Sequence, residues 1–192
     1  MASHAYSFVT PEEYLEWEIK HEERYEYLQG NIYAMAGASI SHDDIVMNIS
    51  GTLFARLKGR CRVAASNTRV RTEGASMYTY PDVAVVCAER RIEKYKGTDT
   101  LLNPVIIFEV LSPSTEKYDR RVKFQMYREI SSLQEYVLVA QDRFRVERFI
   151  RQPDGKWKEV VLEGADAVLR IPSISASLKF SEIYDGATPR KK

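Results

Sequence analysis

Residues 104–130 constrain the fold of this chain more than any other stretch, because they join an apolar strand that contains an acid to a charged helix. The apolar run of residues 105–111 predicts a buried strand, and Glu109 interrupts that run. An isolated ionised carboxylate inside a sheet costs several kcal/mol unless it is neutral, paired with a base or bound to a cation. Residues 112–115 then end the strand and offer hydroxyl caps to a helix that runs to about Tyr127. The stretch thus predicts a buried acid beside a helix that can supply its partner.

A second acid lies near the start of another apolar strand, residues 80–87, where Asp82 precedes a run of valine and alanine. Side chains alternate along a strand, so Asp82 and Glu109 converge if the two strands are neighbours. Directly opposed residues on adjacent strands have Cβ atoms about 4.5 to 5.5 Å apart, and two unpaired carboxylates at that distance repel each other. A hard divalent cation such as Mg²⁺ or Mn²⁺ removes the repulsion and suits phosphodiester hydrolysis. The two acids therefore predict a metal site with Asp82 and Glu109 as ligands.

The size and charge of the chain limit the classes of protein to be considered. Its 192 residues, of which 44% are hydrophobic, predict one domain over residues 1–192 with a disordered tail at about 187–192. The net charge of +1 gives no global signal for a polyanion, so a surface that binds nucleic acid has to be local. Without a leader-like N-terminus or a long apolar window, the chain is expected to be cytoplasmic and to have no membrane contact. Cys61 and Cys87 form no CxxC pair and are predicted to be buried free thiols.

The first third of the chain predicts two helices and a hairpin. Thr10 followed by Pro11 and by Glu13 three residues later is typical of a helix start with a capping box. Gly30-Asn31 predicts the turn of a hairpin between two short strands. A core helix is predicted from a cap at Ser41, because apolar residues then recur at helical spacing.

The remainder of the chain predicts an α/β fold with a mixed sheet (α+β). Strands are expected within residues 61–87, a charged loop over residues 88–103, and antiparallel strands around a hairpin at residues 153–155. The helix that follows Glu109 leaves room for a crossover between parallel strands. The order from residue 41 to residue 140 is therefore helix, three strands, helix, strand, preceded by the N-terminal helix and hairpin.

The helix after Glu109 carries a candidate catalytic cation. Asp119, Lys123 and Tyr127 are spaced four apart and line one helical face. A lysine directed at the two acids would stabilise charge on a reacting phosphate. The alternative is an exposed pair of Asp119 and Lys123, worth a few tenths of a kcal/mol. Tyr127 either packs against the sheet or orients Lys123 or a water molecule.

Four further residues are candidates for the site. Glu26 lies on a predicted strand, where it is either an exposed edge acid or a third carboxylate near the metal. His42 lies at a helix start, where it either faces solvent or contacts a substrate phosphate. Arg90 and Arg91 lie in the predicted charged loop, which could contact phosphates.

Motifs spread over nearly the whole chain resemble those of the "putative restriction endonuclease" family within the PD-(D/E)XK nuclease superfamily. The residues that carry the resemblance are Tyr80-Pro81-Asp82, Glu109-Val110-Leu111-Ser112-Pro113-Ser114-Thr115, Tyr118-Asp119-Arg120, Lys123 and Tyr127, with Tyr25-Glu26-Tyr27-Leu28-Gln29-Gly30, Met35-Ala36-Gly37 ahead of His42, and Leu133-Gln134-Glu135-Tyr136-Val137-Leu138. The resemblance implies a restriction-endonuclease-like core, in agreement with the order of elements above. It also implies metal ligation by Asp82, by Glu109 and by the backbone carbonyl of Val110, with Arg120 as a substrate contact.

One position departs from the superfamily signature, which has a lysine two residues after the second acid. This chain has Leu111 there, and in the resembled family a lysine on the following helix stands in its place, which would be Lys123. The resemblance implies an endonuclease that hydrolyses DNA with Mg²⁺ or Mn²⁺, acting as a homodimer on two-stranded DNA. The alternative function is a catalytically weak or inactive module that binds nucleic acid or supports assembly and retains the nuclease fold.

Overall fold

The computed structural model of the chain describes residues 4–7, 9–35 and 37–187. Residues 188–192 of the predicted disordered tail lie outside the described residues. The prediction is wrong for Ala187, which is buried against the core.

The described residues form fifteen strands and several helical segments. The strands are β1 (His4–Ser7), β2 (Tyr25–Leu28), β3 (Asn31–Ala34), β4 (Arg62–Ala65), β5 (Arg69–Arg71), β6 (Met77–Thr79), β7 (Val83–Val86), β8 (Ile92–Tyr95), β9 (Thr98–Leu101), β10 (Ile106–Leu111), β11 (Glu135–Ala140), β12 (Arg145–Arg151), β13 (Trp157–Glu163), β14 (Val168–Ile171) and β15 (Ala176–Lys179). The α-helices are α1 (Pro11–Glu18), α2 (Ile40–Leu57), α3 (Glu116–Tyr118), α4 (Phe124–Tyr127) and α5 (Phe180–Ile183), with 3₁₀ turns at Glu73–Ala75 and Pro172–Ile174. A π-helical turn, Asp119–Lys123, joins α3 to α4, and the three segments together are called the 116–127 helix below.

The strands form two large mixed sheets and one small sheet. The seven-stranded sheet has the order β1-β3-β2-β6-β5-β9-β8, the six-stranded sheet has the order β13-β12-β11-β10-β7-β4, and β14 pairs with β15. In the six-stranded sheet β10 and β11 are parallel, and the 116–127 helix is the crossover between them. The predicted α/β fold class and the order of helix, three strands, helix and strand are confirmed by α2, β4, β7, β10, the 116–127 helix and β11. The further strands β5, β6, β8 and β9, inserted between them, belong to the second sheet.

The two faces of β10 divide the core. Ile106, Phe108 and Val110 pack in the cluster that contains the buried face of α2 and α5. Ile107 and Leu111 point to the opposite face, in the cluster that includes buried residues of the 116–127 helix. Glu109 shares that second face because side chains alternate along a strand.

Three predicted boundaries near the N-terminus and in the charged loop shift in the structure. The capping box at Thr10 is confirmed, but α2 is capped by Ser39 instead of Ser41, and the Ser39 hydroxyl is held there by Gln141. The hairpin turn is Gln29-Gly30, whose φ angles of 44° and 87° are both positive, as a two-residue type I′ turn requires. The predicted loop over residues 88–103 contains the β8–β9 hairpin, which turns at Lys96-Gly97.

The prediction of free thiols is wrong, because Cys61 and Cys87 form a disulfide with a Cα–Cα distance of 4.1 Å. The strands β4 and β7 pair antiparallel with Arg62 opposite Val86, so the cysteines directly beyond this pair face each other. A separation of 26 residues does not reveal such a pairing in the sequence. Within the described residues, no helix is both long and apolar enough to cross a membrane.

Candidate active site

The predicted site lies where the chain passes from one large sheet to the other. Thr79 is the last residue of β6 in the seven-stranded sheet, and Val83 is the first residue of β7 in the six-stranded sheet. Between them Pro81 is buried and fixes the backbone of the crossing segment. The position of Asp82 therefore depends on both sheets, because Asp82 lies in the segment that connects them.

Asp82 and Glu109 lie opposite each other on neighbouring chain segments. The antiparallel register pairs Phe108 with Val83, and continuing it by one residue beyond β7 sets Glu109 opposite Asp82. The Asp82 N–H donates to Glu109 Oε2 at 3.4 Å, and the Val110 N–H donates to Asp82 Oδ2 at 2.7 Å. These contacts hold the two carboxyl groups on one face of the sheet.

Lys123 reaches this pair from the π-helical turn of the 116–127 helix. Its Nζ lies 2.9 Å from Glu26 Oε1, 3.2 Å from Glu109 Oε1 and 3.6 Å from Asp119 Oδ1. All four side chains are at least nine-tenths buried. The alternative of an exposed pair of Asp119 and Lys123 is therefore wrong, because both groups lie inside the protein. π-Helical turns are rare in proteins, and those that do occur are often found at functional sites.

The pKa values of Glu109, Asp119 and Lys123 are all raised, the two acids by burial and Lys123 by the carboxylates around it. Burial raises the pKa of Glu109 well above its ordinary value, the Lys123 ammonium opposes that rise, and the charge of Asp82 adds to it. Burial also raises the pKa of Asp119, again against the effect of Lys123. For Lys123 itself burial lowers the pKa, but the surrounding carboxylates outweigh burial and hold the pKa well above its ordinary value. Lys123 is thus charged at neutral pH.

Glu26 and Tyr127 complete the buried part of the site. The Thr79 hydroxyl donates a hydrogen bond to Glu26 Oε1. Glu26 is buried, so the alternative of an exposed edge acid is wrong. The Tyr127 hydroxyl donates to Glu109 Oε1 at 2.9 Å. Burial raises the pKa of Tyr127 well above its ordinary value, so the phenol keeps its proton and remains a donor. Tyr127 both packs in the core and orients an acid of the site.

His42 joins the site from the first turn of α2. Its Nε2 lies 3.3 Å from Asp82 Oδ2, and both side chains are largely buried. Burial lowers the pKa of His42, but the hydrogen bonds and charges of Asp82 and Asp43 together outweigh burial and raise the pKa overall. His42 therefore contacts the carboxylate that the sequence predicts as a metal ligand, a proximity that the sequence did not predict.

The donor set fits a hard divalent cation. Three carboxyl groups (Glu26, Glu109 and Asp119) surround the Lys123 ammonium, and Asp82 lies beside Glu109, so carboxyl groups outnumber the ammonium in the cluster. Among the described residues no three metal-binding side chains already converge on one point. Mg²⁺ needs only one or two carboxylates, since it keeps several of its waters. Asp82 and Glu109 meet that requirement. Asp119 also belongs to the buried cluster, although the sequence predicted it only as the helix partner of Lys123.

Leu111 occupies the position where the resembled signature has a lysine, and the structure shows the surroundings of this residue and of Val110. Leu111 is buried among the apolar residues beneath the 116–127 helix. The Val110 side chain points to the opposite face, into the α2 cluster, which leaves its backbone at the level of Asp82. The ammonium of Lys123 lies beside Glu109 although it originates 14 residues later.

The predicted substrate contacts Arg90, Arg91 and Arg120 are not part of this cluster. Arg120 pairs with Glu116 at 2.8 Å and with the buried Glu147, so carboxylates already occupy its guanidinium. Arg90 and Arg91 are exposed beside the β8–β9 hairpin, and Arg90 lines a cavity there.

We expect Glu147→Gln to lower the free energy of unfolding by about 2 kcal/mol at pH 7, because the amide keeps only one neutral acceptor for Arg120 and Arg145 and sets an NH₂ group against the other guanidinium. Burial alone would raise the pKa of Glu147, but the two arginines hold it below the ordinary 4.5. The stabilisation is therefore fully present above pH 4.5 and is lost as the pH falls through the lowered folded pKa. Urea titrations across this range measure it, with the exposed Glu159→Gln as control. A difference between wild type and Glu147→Gln that persists well below pH 4 would contradict the assignment.

Comparison with known proteins identifies the family. A model of the Uma2 family, described as "Putative restriction endonuclease", matches residues 11–181. The chain belongs to the Uma2 family. The resemblance drawn from Tyr80-Pro81-Asp82 and the segments after it is confirmed.

Similar proteins occur in Synechocystis sp. "Uncharacterized protein slr1290" is 37% identical over 180 residues, which cover 93% of this chain and 92% of that protein. "Uncharacterized protein sll1609" is 35% identical over 160 residues, which cover 83% of this chain and 90% of that protein. The crystal structure of a "putative nuclease belonging to DUF820" from Anabaena variabilis superposes with a TM-score of 0.74 at 19% identity, covering 94% of this chain and 99% of that one. At this identity the superposition shows a shared fold.

Proposed function

We propose that this Uma2 protein is a divalent-metal-dependent endonuclease that hydrolyses phosphodiester bonds of DNA. The observation that carries the proposal is the direct opposition of Asp82 and Glu109 on one sheet face with the charged Lys123 beside them. Buried acids cost free energy without a compensating partner, and such groups concentrate where chemistry requires them.

Asp82 and Glu109, with the backbone carbonyl of Val110, would hold Mg²⁺ or Mn²⁺. When bound, the ion lowers the pKa of water and neutralises charge that develops at phosphorus. The chain itself supplies the remaining groups. Lys123 places a positive charge beside the acid pair, where it would stabilise negative charge on a phosphate. Tyr127 holds the Glu109 carboxylate in place through its hydroxyl.

His42 and Glu26 have separate tasks in this proposal. His42 lies on the Asp82 side of the pair, so its imidazolium form stabilises a negatively charged phosphate there. Glu26 lies on the opposite side, where it shares Lys123 with Glu109 and fixes the position of the ammonium. We assign Glu26 to positioning because Lys123 and Thr79 already engage its Oε1.

The proposed activity is tested with supercoiled plasmid and purified protein. We expect nicking in Mn²⁺ or Mg²⁺ and none in EDTA, and we expect Asp82→Asn to abolish it. Absence of nicking by the wild type over a range of DNA substrates and both ions would reject the enzyme. DNA binding without cleavage would then favour the nucleic-acid-binding module.

We also propose that two copies of the chain associate through the outer face of α2. Ile40, Met47 and Phe54 are large, 82%, 67% and 64% exposed, and seven residues apart, so they form one stripe along the helix. Exposed apolar stripes of this kind mark interaction sites. The exposed Gly51 lies between Met47 and Phe54 and lets a second backbone approach closely.

The same face is self-complementary, which favours a second copy as the partner. A twofold axis crossing α2 near Gly51 pairs each residue i with residue j of the other copy and j with i. An antiparallel arrangement about that point sets Met47 against the partner's Phe54 and the exposed Asp43 against the partner's Lys58. Both the apolar contacts and the charges match under one symmetry operation.

We expect Phe54→Glu to convert the dimer to a monomer, because two like charges would enter the apolar centre of the interface. Light scattering at micromolar concentrations measures the mass, with Val161→Glu on β13 as the control. Asp43→Lys should weaken the dimer and Asp43→Lys combined with Lys58→Asp should restore it. A monomeric wild type, or a dimer unaffected by Phe54→Glu, would contradict this interface.

The cytoplasm is the location we propose, since the proposed substrate is DNA. Disulfides are rare in that compartment, whereas Cys61 and Cys87 are bonded here. Thiol alkylation of cells quenched in acid measures the state of this pair. A bridge that is fully formed in the cell would argue for an oxidising location and against the cytoplasm.

A further inference from the structure

A cavity of about 340 Å³ opens on the same face of the six-stranded sheet as the acid pair, between β4, the end of β7 and the β8–β9 hairpin. Ala64 and Val86 form part of its floor, and Val86 shares the sheet face of Asp82 because the two are four residues apart. At about 3.3 Å per residue, Val86 lies roughly 13 Å along β7 from Asp82, with the buried Ala84 between them on that face.

The lining of the cavity combines an apolar floor with a polar rim. Ile92 and Leu101 complete the floor with Ala64 and Val86, and a volume of this size is at the lower end for small-ligand pockets. A flat apolar group therefore fits inside, as a nucleobase does when it leaves its stack.

The rim carries two guanidinium groups that the fold does not use. Among the residues that the structure describes, neither Arg62 nor Arg90 makes an ion pair or a side-chain hydrogen bond, in contrast to Arg120, Arg145 and Arg148. Unpaired arginines beside a cavity suit a phosphate, which guanidinium binds in a bidentate manner.

Asn67 and Asp99 also line the rim, and they narrow the class of ligand. The Asp99 carboxylate disfavours a bare inorganic anion, but it accepts a hydrogen bond from an exocyclic amine. The Asn67 amide both donates and accepts, as the edge of an unpaired base requires.

We propose that this cavity binds one unpaired nucleotide of the DNA substrate, with its base on the apolar floor and its phosphate at Arg62 and Arg90. The site thus selects single-stranded DNA, or DNA with an unpaired segment, because a paired base has to leave its duplex first. This assignment of a substrate class rests on the proposed nuclease function.

The test measures binding of a fluorescently labelled single-stranded DNA 20-mer, and of the same sequence as a duplex, in EDTA so that metal-dependent cleavage does not contribute. We expect the wild type to bind the single strand at least about 10-fold more tightly than the duplex. Arg62→Gln combined with Arg90→Gln should weaken single-strand binding and reduce the slope of log K against log[salt] by about 1.4, which is two phosphate contacts at about 0.7 each. The exposed Arg170→Gln on β14 is the control. It should leave the affinity nearly unchanged and reduce the slope by less than about 0.7, the value of one phosphate contact.

Ala64→Leu is a second variant, which fills the floor and leaves both arginines in place. It should weaken binding of the single strand and leave binding of the duplex unchanged, with thermal melting to confirm that it is folded. Equal affinity of the wild type for both DNA forms, no measurable binding of the single strand, or a loss no larger in the double-arginine variant than in Arg170→Gln would each overturn the proposal.

The plasmid assay separates this proposal from the proposed enzyme. If the wild type cleaves neither plasmid nor single-stranded DNA with either ion, while the cavity variants lose single-strand binding, the nuclease is rejected and the nucleotide site stands. If the wild type nicks plasmid and the cavity variants bind single strands as the wild type does, the nuclease stands and the cavity proposal is overturned.

Discussion

Lys123→Ala is expected to abolish metal-dependent cleavage and to lower the free energy of unfolding in metal-free buffer by about 3 to 5 kcal/mol, the cost of leaving buried charges without their partner. The ammonium lies within 4 Å of carboxyl oxygens of Glu26, Glu109 and Asp119, so its removal leaves all three without their shared cation. In the sequence, Lys123 is a candidate that acts on a phosphate, and loss of such a group predicts an unchanged fold. The burial of the cluster changes that expectation.

The loss has a characteristic dependence on pH and on metal. Burial already raises the pKa of Glu109 and of Asp119 against the opposing effect of Lys123, so without Lys123 these acids take up protons more readily. A carboxyl with a raised folded pKa favours the folded state at low pH, so the destabilisation of the variant should shrink as the pH falls. Added Mn²⁺ should also restore part of the stability.

Lys117→Ala is the matched control, because Lys117 is an exposed lysine on the same helix. It should cleave plasmid and unfold in urea as the wild type does. If Lys123→Ala cleaves at the wild-type rate, Lys123 is a structural cation without a role in the reaction. If Lys123→Ala is as stable as Lys117→Ala, the buried ion cluster is not what holds this part of the fold.

Asp82→Asn is expected to weaken Mn²⁺ binding by about 100-fold or more, since loss of groups outside the ligand shell already costs 10- to 100-fold. The amide oxygen of asparagine can still accept from the Val110 N–H, so the local backbone is kept while the charge is removed. The charge of Asp82 adds to the burial that raises the pKa of Glu109, so the melting temperature in EDTA should be equal to or above that of the wild type.

Calorimetric titration of Mn²⁺ and melting in EDTA measure the two effects separately. Asp166→Asn is the control, because Asp166 is exposed and lies in the loop before β14. Unchanged Mn²⁺ affinity in Asp82→Asn would remove Asp82 from the ligand set. A lower melting temperature in EDTA would mean that the contacts of Asp82 with Val110 and His42 outweigh its repulsion of Glu109.

The residues that could be identified from the sequence share one property: each lies in a local pattern that only a few structures can accommodate. Glu109 interrupts an apolar strand, and Thr10 with Glu13 completes a capping box, so each pattern has few structural solutions. The class of fold followed in the same way, since a strand, a crossover helix and a second strand allow a parallel pair. Family motifs around Tyr80-Pro81-Asp82 supplied the remaining assignments.

Other features depend on contacts between distant residues, which a single sequence does not encode in a readable way. The Cys61–Cys87 disulfide requires the pairing of β4 with β7, and the approach of His42 to Asp82 requires α2 to lie against that sheet. The second large sheet was not predicted, because its strands are short and are interspersed with those of the first.

The sequence by itself determined that an acid in a buried strand needed a partner, and it named Asp82, Glu109 and Lys123 as the groups concerned. Only the tertiary structure decided how that need is met. The register of β7 against β10 sets the two acids opposite each other, and the π-helical turn brings Lys123 between Glu109, Glu26 and Asp119. The physical reason is that the free energy of a buried charge depends on distances of a few Å, and those distances are set by packing between segments far apart in the chain.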